Sequence, residues 1–346
     1  MQYTKSERIE KIFDKFTSSK YIHESVIYIE NTTGDFSFHK GYKGKEIDSP
    51  MITASITKLF TTTCILILLE QEKLSLDDKL SNYLDNSLLK GLHIFKGKDY
   101  SFDLSIFDLL FQTSGLPDIY EEGKESFKKK TIAEDFFIKM EDVIPIIKKM
   151  TPHFAPQSCN KAYYADINFD LLGIIIEKIC GISLAEVYKQ YIFTPLNMNR
   201  TYLSVKETNN IPGIFYKDQI LYRPKVISSC GASGGCISTC KDLIIFLKSF
   251  FGGKLFKKDI FQKLSIYHKL QASMGPIYYG GGYMAIPLHT LNTLYLGKGE
   301  LIGHSGSTGS FAFYYPVKDL FFVGDVNQMS NPALPIRLIM QLAMMV

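Results

Sequence analysis

A serine and a lysine three residues apart stand near the start of an apolar segment. Ser55 and Lys58 lie within residues 51–69, which read MITASITKLFTTTCILILL. Residues at positions i and i+3 share one face of a helix, so the Lys58 amine can reach the Ser55 hydroxyl. An apolar setting favours the neutral amine, which can act as a base toward a serine nucleophile. The alternative is a serine that caps the helix beside a lysine whose stem is buried.

The Ser-x-x-Lys spacing alone is not specific. It recurs in this chain at Ser37, Ser87, Ser126, Ser158 and Ser238. Only at Ser55 does a long apolar helix follow, so that the serine lies where the helix dipole favours developing negative charge. Ser55 is therefore the candidate nucleophile.

Two further stretches carry residues suited to proton transfer and substrate binding. Tyr164 and Asp166 stand just before a predicted helix over residues 167–180. A tyrosine at such a junction can shuttle a proton when a cation lies close to it, although Tyr-x-Asp also occurs at Tyr83 and Tyr216. Residues 301–316, LIGHSGSTGSFAFYYP, combine a histidine with glycines and small residues. Such a strand edge lets a substrate backbone lie alongside it, and an ordinary glycine-rich loop is the alternative.

The elements that must position these residues follow from periodicity and capping signals. Alternating apolar runs predict a β-hairpin over 24–30 and 35–40 and later strands over 282–288, 291–296, 309–315 and 320–327. An amphipathic helix is predicted at the N-terminus, and the apolar helix that follows Ser55 is predicted to run to about Leu74. Further helix starts are predicted by the capping residues Ser75, Ser105, Ser183 and Thr239 and by Asn331-Pro332.

These elements predict an α/β protein of the α+β type. Strands at both ends of the chain would form one antiparallel sheet flanked by helices, with a mostly helical domain inserted beside it. We predict a sheet domain from residues 1–80 plus 205–346 and a helical insertion over 81–204, with the active site between them. A chain of 346 residues is long enough for two such lobes.

Composition excludes several classes of protein. The net charge of +4, with 46% hydrophobic and 21% charged residues, is typical of a globular protein without a nucleic-acid partner. The longest apolar run, residues 64–69, is too short to span a bilayer, and the N-terminus lacks the apolar core of a signal peptide. We therefore expect no membrane contact and a cytoplasmic location. The six cysteines lack zinc-ligand spacing, so we expect free thiols, no metal and no cofactor.

Taken together, the three stretches resemble a known superfamily. Ser55-Ile-Thr-Lys58, Tyr164-Ala-Asp166 and His304-Ser-Gly306 are similar in order and spacing to three motifs of the serine β-lactamase and penicillin-binding-protein superfamily. The likeness is strongest to the branch of class C β-lactamases, DD-peptidases and related esterases. Further similar segments are LLFQTSGLPD at 109–118, IFTPLNMNRTYL at 192–203 and ASGGCISTCKDLIIFL at 232–247.

The resemblance implies a role for each matching residue. Ser55 would be the acyl-accepting nucleophile, Lys58 its base, and Tyr164 the proton shuttle to the leaving group. The backbone N–H groups of Ser55 and Ser307 would form the oxyanion hole. Substrate would lie along a set of residues formed by Asp166, His304, Ser305, Gly306 and Ser307.

Three positions depart from the family pattern. Asp166 stands where many members have asparagine, so it would favour the ammonium form of Lys58 and could not donate to a substrate carbonyl. His304 replaces the lysine of many β-lactamases, and a mostly neutral imidazole anchors a carboxylate weakly. Gln112 takes the place of a histidine, for which the sequence offers no functional reason.

The resemblance therefore implies a serine acyl hydrolase that forms an acyl-enzyme at Ser55. Its substrate would be a small-molecule ester, a peptide or a β-lactam, and the activity that of an esterase, a D-amino-acid peptidase or carboxypeptidase, or a β-lactamase. The departures at Asp166 and His304 favour an esterase or a small peptidase. The alternative is a penicillin-binding or ligand-sensing module on the same fold that does not turn over.

Overall fold

The computed structural model describes residues 3–123, 126–157, 161–205, 210–289, 293 and 297–346. The α-helices are α1 Lys5–Thr17, α2 Thr57–Glu70, α3 Asn86–Leu89, α4 Ile106–Leu110, α5 Phe127–Ala133, α6 Met140–Ile147, α7 Asp166–Cys180, α8 Leu184–Tyr188, α9 Pro224–Ser229, α10 Gly231–Gly234, α11 Cys240–Gly252, α12 Lys258–Gln262 and α13 Leu334–Met345. Short 3-10 turns lie at Ala54–Ile56, Leu80–Asn82, Ala272–Met274 and Pro316–Lys318, and a π-helical turn at Lys189–Phe193.

Within these described residues, the strands form one large sheet and three small ones. They are β1 Ser25–Glu30, β2 Ser37–Tyr42, β3 Met51–Ile52, β4 Ile94–Phe95, β5 Lys98–Asp99, β6 Tyr202–Leu203, β7 Ile214–Tyr216, β8 Gln219–Leu221, β9 Cys236–Ser238, β10 His268–Lys269, β11 Tyr278–Tyr279, β12 Met284–Pro287, β13 Glu300–Ser305, β14 Ser310–Tyr315 and β15 Leu320–Asp325. The large sheet has the order β10-β11-β12-β13-β14-β15-β1-β2, and its neighbouring strands are antiparallel. The predicted fold class is therefore confirmed, because strands from both ends of the chain meet where β1 pairs with β15.

The helix that follows Ser55 is buried on every side. Helix α2 packs against α7, α10 and β13, and the side chains of Thr57 through Leu66 are all buried. A helix without a polar face needs partners all round it, which explains why its sequence shows no amphipathic pattern. The close approach of α7 to α10 depends on Gly173, where a β-carbon would lie 2.6 Å from the Ala232 β-carbon.

Several predicted elements start or end elsewhere. The apolar helix begins at Thr57 and ends at Glu70, short of Leu74. No helix begins at Ser75, contrary to the prediction. Its backbone N–H donates to the Asp78 carboxylate in a turn, and a 3-10 turn begins only at Leu80. The last helix starts at Leu334, because the Asn331 side chain caps a preceding turn by accepting from the Ala333 N–H.

The strand that carries His304 and Ser305 was expected to lie at an edge of the sheet, and this expectation is wrong. Strand β13 is not at the sheet edge, since it pairs with β12 on one side and β14 on the other. Its pairing with β12 covers Glu300 to Gly303 only, so one side of its last two residues extends past β12. The strand predicted over 291–296 lies outside the described residues apart from position 293.

Other predictions are met or stay open. The helices capped by Ser105, Ser183 and Thr239 are present, and each capping hydroxyl accepts from the backbone N–H three residues later. The division into a sheet domain and a helical insertion stays a prediction. Among the described residues no helix is long and apolar enough to cross a membrane. The five described cysteines, at positions 64, 180, 230, 236 and 240, are free.

Candidate active site

Ser55 lies in a strained turn between a short strand and helix α2. The 3-10 turn of Ala54–Ile56 follows β3, and Ala54 adopts a left-handed backbone with a φ of 43°. Such a conformation costs a non-glycine residue about 1–3 kcal/mol and persists only where its surroundings enforce it. Here Thr53 enforces it, since its N–H and its hydroxyl both donate to the Cys236 carbonyl, at 3.0 and 2.7 Å.

The hairpin between β13 and β14 holds the same turn from the other side. The Thr308 hydroxyl donates to the Ile52 carbonyl at 3.1 Å, and the Ser310 hydroxyl donates to the Thr53 carbonyl at 2.9 Å. Gly306 lies so close to this turn that a β-carbon on it would stand 2.6 Å from the Thr53 carbonyl oxygen. The sheet therefore positions Ser55 next to the segment that contains Ser305 to Ser307.

Lys58 is fully buried and makes three hydrogen bonds. Its ammonium donates to the Ser55 hydroxyl at 3.3 Å, to the Asp166 carboxylate at 2.6 Å and to the Ser233 carbonyl at 2.7 Å. These three acceptors come from three different elements, which fixes the ammonium next to the serine oxygen. The predicted contact between Ser55 and Lys58 is present, and the Asp166 carboxylate forms an ion pair with the Lys58 ammonium.

The Tyr164 ring lies against the Lys58 ammonium. The ammonium is 5.0 Å from the centre of the ring, a separation typical of a cation–π contact. Burial, the main cause, and the Asp166 charge raise the pKa of Tyr164 well above its ordinary value, while the Ser55 hydroxyl opposes that shift. The Tyr164 hydroxyl is buried and meets no hydrogen-bond partner of good geometry among the described side chains. The phenol is thus kept protonated beside the serine.

His304 is placed differently from a surface anchor for a carboxylate. It is fully buried, its Nδ1 lies 2.9 Å from the Ser305 carbonyl, and its Nε2 lies 3.4 Å from the Tyr279 hydroxyl. Burial, and secondly the Lys58 charge, lower the pKa of His304 to about 3. The imidazole is therefore neutral at ordinary pH, and its ring packs against Tyr164 with the centres 5.9 Å apart.

Two acidic residues near Asp166, namely Asp118 and Asp170, were not predicted from the sequence to belong to the site. Asp118 is almost fully buried and accepts from the backbone N–H groups of Asp166, Tyr120 and Glu121. Burial and the Asp166 charge raise the pKa of Asp118 to about 8 and that of Asp170 to about 7. The i, i+4 spacing of Asp166 and Asp170 on α7 was the available signal, since such residues share a helical face.

Gln112 holds the segment that carries Tyr164. Its side-chain oxygen accepts from the Ala165 N–H at 3.0 Å and from the Asn168 side chain, and its backbone carbonyl accepts from the Tyr163 N–H at 2.9 Å. Gln112 is fully buried and has a φ of 60°. The position that lacked an explanation in the sequence is therefore a support for the residues on both sides of Tyr164.

A cavity opens over Ser55 and holds about 460 Å³ of space, part of it open to solvent. Its lining includes Ser55, Tyr120, Asp166, Ser233 and Ser307. Of the predicted substrate-binding residues, Asp166 and Ser307 line this cavity, whereas His304, Ser305 and Gly306 are not among its lining residues. Within the described ranges, no group of three or more His, Cys, Asp or Glu side chains is arranged to hold a metal ion.

Most of this chain matches a known protein family. The family model described as Beta-lactamase matches residues 38–342. The chain belongs to the beta-lactamase family. A matching curated relative is Protein flp of Staphylococcus aureus (strain N315), 29% identical over 214 residues, which are 59% of this chain and 39% of that protein. The chain thus spans about two fifths of the length of this relative.

Solved structures of similar shape show the beta-lactamase-like fold. A D-stereospecific amidohydrolase from Streptomyces sp. superposes with a TM-score of 0.76 at 19% identity, covering 96% of this chain and 97% of the other. EstCE1, a hydrolase with promiscuous acyltransferase activity, superposes with a TM-score of 0.79 at 15% identity, covering 98% of each chain. At such identities the likeness establishes the fold of this family member and does not establish its chemistry.

Proposed function

We propose that this member of the beta-lactamase family is a serine acyl hydrolase that cleaves an ester or an amide through an acyl-enzyme at Ser55. The observation that carries the proposal is the 3.3 Å hydrogen bond from the fully buried Lys58 ammonium to the Ser55 hydroxyl, which lies at the cavity wall. A buried lysine without a function would be costly, because charge is expensive to desolvate.

The chemistry assigned to each group follows from its position. The Lys58 ammonium first passes a proton to the Asp166 carboxylate, and the neutral amine then takes the proton of the Ser55 hydroxyl as the serine oxygen attacks the substrate carbonyl. Neither the Ser55 N–H nor the Ser307 N–H has a hydrogen-bond partner in the described part of the chain, and both residues line the cavity. These two donors would stabilise the oxyanion, which is worth about 10²–10³ in rate for each donor in related chemistry.

Tyr164 is suited to the second half of acylation. Its pKa is raised by burial, so the phenol holds its proton until a leaving group with developing negative charge can take it. The Tyr164 phenolate then regains its proton from the Lys58 ammonium. Water next attacks the acyl carbon and passes a proton to the Lys58 amine, the bond between the acyl carbon and the Ser55 oxygen breaks, and the serine oxygen takes that proton from Lys58. The activity assigned is that of an esterase or amidase, because neutral His304 offers no positive charge for the carboxylate of a β-lactam.

A second candidate is a protein that is acylated and does not turn over. The ion pair between Lys58 and Asp166, at 2.6 Å, favours it, since it engages the group that would have to accept a proton from the deacylating water. Both candidates predict an adduct on Ser55. They differ in whether that adduct decays.

Intact-protein mass spectrometry tests both candidates. The protein is mixed with p-nitrophenyl acetate and, separately, with a penicillin. We expect an acetyl adduct on the wild-type protein and none on Ser55→Ala. Ser307→Ala is the matched control, since it removes a hydroxyl from the same cavity and keeps the backbone N–H, and it should still be acylated. An adduct that decays supports the hydrolase, and one that persists supports the second candidate. A folded wild type without any adduct would contradict both.

A further inference from the structure

Helix α7 begins at Asp166, the residue that pairs with Lys58. The preceding residue, Ala165, has no side chain that can cap the helix, so the backbone N–H groups of the first turn need acceptors from elsewhere. Asp118 supplies one acceptor, because its Oδ1 accepts from the Asp166 N–H at 3.3 Å. The start of α7 is therefore held by a side chain that lies 48 residues earlier in the chain.

The Asp118 carboxyl group also holds the backbone of its own loop. Its Oδ1 accepts from the Tyr120 N–H at 3.4 Å, and its Oδ2 accepts from the Glu121 N–H at 3.2 Å. Tyr120 lines the cavity over Ser55, whereas Asp118 is not among the residues that line it. One buried carboxyl group thus connects the partner of Lys58 to a residue of the cavity wall.

Asp118 is held by hydrogen bonds and not by an ion pair. It is 4% exposed, and none of the ion pairs in the described part of the chain involves it. Its charged neighbours are acidic, namely Asp166 and Glu122, whose carboxylate accepts from the Asp118 N–H at 2.7 Å. Burial, and secondly the Asp166 charge, raise the pKa of Asp118 to about 8, so the group is mainly a neutral acid at pH 7. An asparagine can therefore take its place with the same charge and an accepting oxygen.

The position of the Asp166 backbone determines where its short side chain meets Lys58. The Lys58 ammonium also donates to the Ser55 hydroxyl at 3.3 Å, so a shift of Asp166 moves the ammonium relative to the serine oxygen. A misplacement of about 1 Å can cost about 100-fold in rate. A loosened first turn of α7 would therefore affect the reaction through Lys58.

We infer that Asp118 is a positioning residue for the acyl transfer, which fixes the Asp166 carboxylate against Lys58 and the Tyr120 backbone beside the Ser55 cavity. It acts through these residues and lies outside the cavity itself. The inference rests on the proposed function, since it needs an acyl transfer at Ser55. It holds equally for a hydrolase and for a protein that is acylated without turnover, because both form the same adduct.

The first experiment measures the rate constant for acylation of Ser55 by saturating p-nitrophenyl acetate. Asp118→Ala leaves the N–H groups of Asp166, Tyr120 and Glu121 without this acceptor, so we expect the rate constant to fall at least about tenfold. Asp118→Asn keeps an oxygen that can accept from Asp166 and Tyr120, so its rate constant should stay within about threefold of the wild type. An unchanged rate constant in Asp118→Ala, or equal losses in the two variants, would overturn the inference.

The amount of protein that is acylated separates positioning from stability. Partial unfolding lowers that amount and leaves the rate constant of the folded fraction unchanged, whereas a positioning role lowers the rate constant itself. Asp118→Ser replaces Asp118→Ala if the alanine variant does not fold, because its shorter side chain does not reach the Asp166 N–H. The same loss of rate is expected from it, and a rate constant like that of the wild type would overturn the inference.

Asp242→Ala is the matched control. Asp242 is also a buried carboxyl group, and it accepts from the Arg200 N–H at 3.0 Å and from the Thr201 hydroxyl at 2.8 Å. None of these three residues lines the cavity over Ser55. Asp242→Ala should lower the urea midpoint and leave the acylation rate constant close to that of the wild type. If it slows acylation as much as Asp118→Ala does, the effect belongs to a general loss of stability and the inference fails.

A double-variant cycle tests the route through Asp166. In the Asp166→Asn background the carboxylate that Asp118 positions is absent, so the effect of Asp118→Ala on the rate constant should shrink to about threefold or less. An undiminished effect would overturn the inference. Acylation of the wild type that is lost in Ser55→Ala upholds the proposed function whatever the Asp118 variants show. A folded wild type that takes no adduct contradicts the proposed function and the inference together.

Discussion

The Asp166 carboxylate accepts the shortest of the three hydrogen bonds made by the Lys58 ammonium, at 2.6 Å. The Ser55 hydroxyl accepts the longest, at 3.3 Å. The Lys58 ammonium therefore lies closer to the Asp166 carboxylate than to the Ser55 hydroxyl. The proposed acyl transfer needs the lysine to serve the serine, so we propose that the ion pair opposes the activation of Ser55.

The substitution Asp166→Asn tests this relationship. Removing the carboxylate removes the interaction that favours the ammonium, and it also removes one cause of the raised pKa of Tyr164. Without that carboxylate a proton acceptor beside Ser55 is available at lower pH, so the acid limb of the kcat/KM profile should move to lower pH. The measurement is hydrolysis of p-nitrophenyl acetate between pH 5 and 9. A limb that stays in place would show that the ion pair does not control activation.

The substitution Gln112→Ala tests the support of Tyr164. The Ala165 N–H and the Asn168 side chain would lose their common acceptor, which costs about 1–3 kcal/mol for a buried group left unpaired. We expect a lower urea midpoint and a kcat reduced about tenfold or more, with KM little changed, because Tyr164 shifts relative to Ser55 while the cavity over Ser55 stays in place.

Gln112→Glu separates positioning from stability alone. It keeps the accepting oxygen for the Ala165 N–H, so a positioning role predicts kcat closer to that of the wild type than Gln112→Ala gives, even where stability falls as much. If the two variants lose kcat only in proportion to lost stability, Gln112 has no role beyond the fold.

Much of the fold could be predicted because its signals are local. The hairpin of β1 and β2, the caps at Ser105 and Thr239 and the glycine that ends α7 at Gly181 are all determined by neighbours in the chain. The apolar run predicts helix α2, but the helix ends at Glu70 and not at about Leu74. The 3-10 turn that precedes it is held by hydrogen bonds from Thr53 to Cys236, which is 183 residues away.

Only the parts of the site that lie within the three sequence motifs could be predicted. The contact between Ser55 and Lys58 follows from helical spacing, whereas the burial of His304 depends on Tyr279 and Tyr164, which come from separate elements. The role of Gln112 and the carboxyl group of Asp118 depend on long-range contacts with α7. Local patterns carry no information about such contacts, since loops bring them together only in the folded chain.

The substitution Gly306→Ala tests how closely the hairpin approaches the serine turn. An added β-carbon would stand 2.6 Å from the Thr53 carbonyl oxygen and nearer still to the Ser310 hydroxyl. Because the carbonyl belongs to the backbone just before Ser55, the turn or the hairpin must move. We expect slower acylation of Ser55 by at least tenfold and a lower melting temperature. Gly252→Ala, where a β-carbon would meet no atom within 4 Å, is the control. Equal acylation rates in the two variants would contradict the proposed tight approach.

His304 predicts a dependence of stability on pH. Burial lowers the pKa of His304 to about 3 in the folded protein, against about 6.5 for an unperturbed imidazole. Between these values the unfolded chain binds the proton and the folded chain does not. The free energy of unfolding therefore falls as pH is lowered from 6.5 toward 3, by up to about 1.4 kcal/mol for each pH unit. The contribution is complete above pH 6.5 and is progressively lost below it.

Urea unfolding of the wild type and His304→Gln at pH 7.5 and pH 5 measures this contribution. The variant should be less stable at pH 7.5, because glutamine fills the space beside Tyr279 poorly. The gap should narrow by about 2 kcal/mol at pH 5, since only the wild type has this imidazole to protonate on unfolding. His39→Gln, which removes an exposed imidazole, is the control and should show no such narrowing. A gap of the same size at both pH values would mean that folded His304 takes up a proton as easily as the unfolded chain does, and a neutral buried imidazole would then be ruled out.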